Sequence, residues 1–146
     1  MAPSPEVDMA GRMPTLAAMD SARPARRILV VDDDVEMAGL LADLISTEGH
    51  VADTAANGRV ALEKIAGQDY DLIMCDIRMP EPDGPGLYEE LERRAPHLLA
   101  RFEFIAQDAE GQRVRLKRFF ERTGVPVIAK PFTKLAISRA IVGREY

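Results

Sequence analysis

Three apolar runs in this chain lead straight into side chains capable of ionic chemistry. Ile28-Leu29-Val30-Val31 runs into Asp32, Asp33 and Asp34, Leu72-Ile73-Met74-Cys75 into Asp76, and Val125-Pro126-Val127-Ile128-Ala129 into Lys130. Charged residues just past buried strands are where open α/β sheets keep their ligands, in the crevice outside the carboxyl ends of the strands. Carboxylates gathered there repel one another unless a cation fills the gap, and an oxygen-only set without His or Cys suits a hard ion, of which Mg²⁺ is the natural occupant. Asp76 is the candidate working residue, because the chain after it enters a loop, 79–86, carrying three prolines and two glycines.

Five strands alternating with five helices are needed to position these groups. The strands are predicted at 27–32, 50–55, 72–76, 102–106 and 125–129. The first helix spans 35–48, with Asp34 as its cap, Gly49 as its stop and Leu40, Leu41, Leu44 and Ile45 as its apolar stripe. The second spans 57–66. The third opens at Pro85 or Gly86, turns Leu87, Tyr88 and Leu91 inward and is closed by Pro96. The fourth spans 110–122, apolar at Leu116, Phe119 and Phe120 and otherwise strongly basic. The last covers 133–142 with Leu135, Ile137, Ala140 and Ile141 inward. This alternation implies a doubly wound parallel sheet with right-handed crossovers. Glu103 is an awkward charge inside the predicted fourth strand, and it is expected to face a sheet edge or a partner.

The motifs Ile28 to Asp34, Asp71 to Pro80 followed by Asp83-Gly84, and Ala129-Lys130-Pro131-Phe132 together resemble the receiver domains of two-component response regulators. The resemblance covers residues 26–142, with the motifs in the family's order and near its spacing. It implies a flavodoxin-like strand order, 2-1-3-4-5, which periodicity does not set. It also implies that Asp76 accepts a phosphoryl group from the phosphohistidine of a sensor histidine kinase or phosphotransfer protein, or from a small phosphodonor. Mg²⁺ would then be held by Asp33 and Asp76 directly, by Asp32 through water and by the backbone carbonyl of Arg78, while Lys130 meets the phosphoryl oxygens. On this reading the protein is an autocatalytic phosphoryl acceptor and not an enzyme.

Two positions depart from the family's pattern. The Thr or Ser that ends the fourth strand, whose hydroxyl bonds the phosphoryl group, is matched by Ala106, and Gln107 beside it is a candidate replacement donor. The aromatic residue of the fifth strand is matched by Val127, which has no comparable rotamer swing. Arg78 and Asp108 flank the site as candidate modulators of phosphoryl lifetime, expected to pair across its mouth. These departures favour an alternative, a phosphorylation-independent interaction module. An aspartate-nucleophile phosphatase would need a second acid two residues after Asp76, where Arg78 stands.

The chain has 146 residues, 47% apolar residues, a net charge of −5 and one cysteine. That is room for one core, no general attraction to nucleic acid and no internal disulfide; Cys75 reads as a small core residue. No run approaches the ~20 apolar residues of a membrane span. Residues 1–25, rich in proline and alanine, are expected to be a flexible tail before a receiver domain at 26–146, and the protein is expected in the cytoplasm. The short remainder after Val142 suggests a stand-alone regulator or shuttle acting on a downstream protein partner. A receiver segment of a hybrid kinase would look the same.

Overall fold

A computed structural model describes residues 25–142; the predicted tail lies outside the described residues. The strands are β1 (Arg27–Val31), β2 (Val51–Ala55), β3 (Leu72–Asp76), β4 (Phe102–Ala106) and β5 (Val127–Ala129). They form one parallel sheet in the order β2-β1-β3-β4-β5. The helices are α1 (Val35–Thr47), α2 (Gly58–Gly67), α3 (Gly84–Arg94), α4 (Ala109–Arg115), α5 (Lys117–Thr123) and α6 (Lys134–Val142), with a 3-10 turn at Pro96–Arg101.

Strand side chains alternate between two faces, and each face has its own core. On one face Ile28, Val30, Leu72, Met74 and Ile105 are covered by Ala38, Leu41 and Ile45 of α1 and by Ile137 and Ile141 of α6. On the other, Leu29, Val31, Ile73, Cys75, Phe102 and Phe104 lie beneath Ala61 of α2, Leu87, Tyr88 and Leu91 of α3, and Phe119 and Phe120 of α5. The second face is rich in rings. Phe102 stands edge-on to Tyr88 and Phe104, with centroids 5.4 and 5.2 Å away. Phe104 reaches on to Phe120 at 6.0 Å and to Phe119 at 5.9 Å.

Capping follows from residue type. Asp34, Asn57, Asp83 and Asp108 each accept a backbone N–H three residues on, opening α1, α2, α3 and α4. Gly124, at φ 66°, ends α5 in the left-handed conformation that glycine takes without penalty.

Several expectations change. The predicted fourth helix is divided at Leu116, whose φ and ψ of −110° and 33° leave the helical region. The bonds Leu116 N–H to Gln112 O and Phe120 N–H to Leu116 O span the break, so the chain bends there without ending. Leu40 and Leu135 are exposed, because the buried stripes of α1 and α6 run through Ala38, Leu41 and Ile45 and through Ile137 and Ile141. Glu103 is buried, since β4 is paired on both sides and has no free edge. Strand β5 is shorter than predicted, beginning only after Pro126, which has no N–H to give.

Candidate functional site

The strand order decides which charged residues meet. In order 2-1-3-4-5, β1 and β3 are hydrogen-bonded neighbours, so the acids following Val31 and ending β3 come side by side. Carboxylate oxygens of Asp32, Asp33 and Asp76 all lie within 4.8 Å of one another. Asp32 is buried, Asp76 half-buried and Asp33 exposed.

Lys130 arrives from the far side of the sheet. The ladder between β4 and β5 continues one step past Ala129, with Lys130 N–H donating to Ala106 O at 2.7 Å. The Lys130–Pro131 peptide bond is cis. The lysine side chain, only 10% exposed, sends Nζ to 3.2 Å from Asp32 Oδ2 and 3.5 Å from Asp76 Oδ1. Asp32 is further committed, because its Oδ1 accepts from Asp34 N–H at 2.9 Å. Burial pushes the Asp76 carboxyl above its ordinary range; Lys130 opposes the rise, and the neighbouring Asp32 and Asp33 add to it.

The loop after Asp76 folds back over the sheet. Ile77 N–H donates to Ile105 O at 3.1 Å, and Gly84 N–H donates to Ile77 O at 3.3 Å. A Cβ on Gly84 would lie 2.8 Å from both Ile77 Cα and Phe104 Cε1, so only glycine allows this approach. Gly84 thereby packs between the backbone of Asp76 and Ile77 and the ring of Phe104.

A cavity of about 330 Å³ opens over Asp76, lined by Ile77, Arg78, Ala106, Gln107, Asp108, Gln112 and Lys130. Every residue singled out in the sequence except Asp32, Asp33 and Val127 borders it. The first two lie beside Asp76 in the acid cluster, and Val127 packs partly buried against the ring-lined core. Ala106 ends β4 at the cavity wall, as the motif alignment predicts, and Gln107 is exposed at the rim. The predicted pairing of Arg78 with Asp108 is not found among the described residues. Asp108 Oδ1 instead accepts from Gly111 N–H at 3.0 Å, because the first turn of α4 needs that acceptor. Sequence reading passed over Gln112.

An open parallel sheet with an acid cluster and a lysine gathered at its carboxyl edge defines an α/β protein with charges of both signs at one end of its strands. Residues 28–142 match the response regulator receiver domain family, and the chain belongs to it. The CheY chemotaxis protein of Halobacterium salinarum is 33% identical over 117 residues, which is 80% of this chain and 94% of that protein. TcrA, a transcriptional regulatory protein of Mycobacterium tuberculosis, is 43% identical over 68 residues. That match takes in 47% of this chain and 27% of TcrA, so the chain spans only a part of such longer relatives. The fold is likewise that of Vibrio cholerae CheY4, with a TM-score of 0.72 and 20% identity over 82% of this chain and 98% of that one. No helix among the described residues is long and apolar enough to cross a membrane.

Proposed function

We propose that this receiver takes a phosphoryl group on Asp76 from the phosphohistidine of a sensor histidine kinase or phosphotransfer protein, or from a small phosphodonor. The observation that carries this reading is the convergence of Lys130 Nζ, 3.5 Å from Asp76 Oδ1, with the Asp32 and Asp33 carboxylates on the same side chain. The donor set is oxygen only, which fits Mg²⁺. Asp33, Asp76 and the Arg78 carbonyl would hold the ion, and Asp32, already bonded on both oxygens, would act through water. Bound there, the metal supplies charge neutralisation to the phosphoryl oxygens.

The protein's own groups divide the remaining work. An Asp76 carboxylate oxygen attacks phosphorus, and the bond to the donor's leaving group breaks in line. Lys130, fixed by Asp32 and the β4–β5 ladder, offers a compact ammonium to a phosphoryl oxygen. Output would pass to a downstream protein partner.

The test is intact mass after incubation with acetyl phosphate and Mg²⁺. One added phosphoryl group, absent in Asp76→Asn and with a chelator, is the expected result. A second reading, a module that binds its partner regardless of phosphorylation, is favoured by Ala106 and Val127 at the switch positions. It requires that Asp76→Asn leave partner binding unchanged.

A further inference from the structure

One buried polar side chain borders the cavity over Asp76 without belonging to the acid cluster or to the Lys130 contacts. Gln112, on α4, is 6% exposed and borders the cavity together with Asp76, Ala106 and Lys130. Its Oε1 accepts from Arg115 Nε at 2.9 Å. A guanidinium can only donate, so this contact sets the amide's orientation: oxygen toward Arg115, and the NH₂ as the end left over. Among the described residues that NH₂ makes no hydrogen bond. The NH₂ is not a buried, unpartnered group, so solvent reaches it and both its donors are open to an acceptor in the cavity. The wall beside it is Ala106, which stops at Cβ, and the exposed Gln107 offers no buried donor.

We propose that Gln112 Nε2 donates to a phosphoryl oxygen of the group on Asp76, taking from α4 the part that the missing hydroxyl at position 106 would play from β4. This rests on Asp76 as the phosphoryl acceptor. As the P–O bond to Asp76 forms, the bond from phosphorus to the donor breaks and its pair stays with the leaving atom: the acetate oxygen of acetyl phosphate, or the imidazole nitrogen of a phosphohistidine. Lys130 meets one phosphoryl oxygen and the Gln112 amide another. Arg115 touches neither; it is a positioning residue that keeps the amide from turning over.

The experiment follows adduct formation by intact mass with acetyl phosphate and Mg²⁺ for the wild type, Asp76→Asn, Gln112→Met and the double variant Gln112→Met with Ala106→Ser. Gln112→Met keeps the length of the side chain and removes the donor. It is expected to slow adduct formation roughly 10- to 100-fold, the loss typical of one donor facing developing charge. The added serine hydroxyl is expected to restore part of that rate, which a purely structural role for Gln112 would not allow. A wild-type rate in Gln112→Met overturns the assignment while leaving Asp76 as acceptor. No adduct on the wild type overturns both. The wild-type protein supplies an independent readout: the side-chain amide protons of Gln112 should shift in the ¹⁵N-correlated spectrum when the phosphoryl group is added. Signals that stay in place on the fully phosphorylated protein also overturn it.

Discussion

At the scale of single residues, the pocket depends on Lys130 being an ammonium and not simply a positive charge. Its nitrogen lies between Asp32 and Asp76, at 3.2 and 3.5 Å, a place for a compact point charge, whereas a guanidinium is larger, planar and differently directed. Lys130→Arg is therefore expected to lose phosphorylation while keeping the fold, read by intact mass and circular dichroism. Lys130→Met leaves buried carboxylates without their cation and should cost on the order of 3 kcal/mol in urea unfolding with chelator present. Added Mg²⁺ should return part of that loss. Asp76 gives a test with a definite sign. Its carboxyl is raised in the folded protein, chiefly by burial, so the folded state holds that proton more tightly than the unfolded chain does. Stability from this group is thus present at low pH and is lost as pH rises through the folded-state value. In chelator, Asp76→Asn should melt above the wild type at neutral pH, and the gap should close as pH falls into the carboxylate range. These acids and the lysine were legible because each follows an apolar run. Gln112 was passed over because a glutamine among arginines reads as solvent-facing. Its spacing from Leu116, Phe119 and Phe120, at i+4, i+7 and i+8, was the available signal, since it continues the buried stripe.

At the scale of elements, the loop between β3 and α3 is as tightly specified as the core. Gly84→Ala sets a methyl against the backbone of Ile77 and the ring of Phe104, neither of which has room to yield. A loss of about 1–3 kcal/mol is expected, with slower phosphorylation because Asp76 shares that backbone. A melting temperature equal to the wild type's would show that the loop adjusts freely. Gly39 is the contrast. It lies inside α1, and a Cβ there would meet nothing within 4 Å, so Gly39→Ala should stabilise by about 0.5–1 kcal/mol. Strand positions and most helices were legible from apolar periods and caps, and strand order came only from family resemblance. The division at Leu116 carries no proline or glycine to announce it. It separates a segment bearing Gln112 at the cavity from one bearing Phe119 and Phe120 on the rings, and a single hydrophobic stripe cannot reveal such a bend.

At the scale of the whole molecule, the two cores share the central strand β3, whose Leu72 and Met74 face one and Ile73 and Cys75 the other. Both helical layers therefore depend on the strand that ends in Asp76. Cys75 is the chain's only cysteine, fully buried, and burial holds its thiol well above the ordinary range, with Asp76, Asp32 and Asp83 adding to the rise. The molecule thus carries its own clock for opening. A thiol-modifying reagent can reach Cys75 only when the helical layer over its face of β3 lifts away, so labelling in native buffer counts openings of that layer. The rate relative to the urea-unfolded chain should match the equilibrium constant from denaturant unfolding, and Mg²⁺ should slow it further by holding the folded state. Labelling faster than that would locate a partial opening beside Asp76, and its response to acetyl phosphate would show whether phosphorylation closes it.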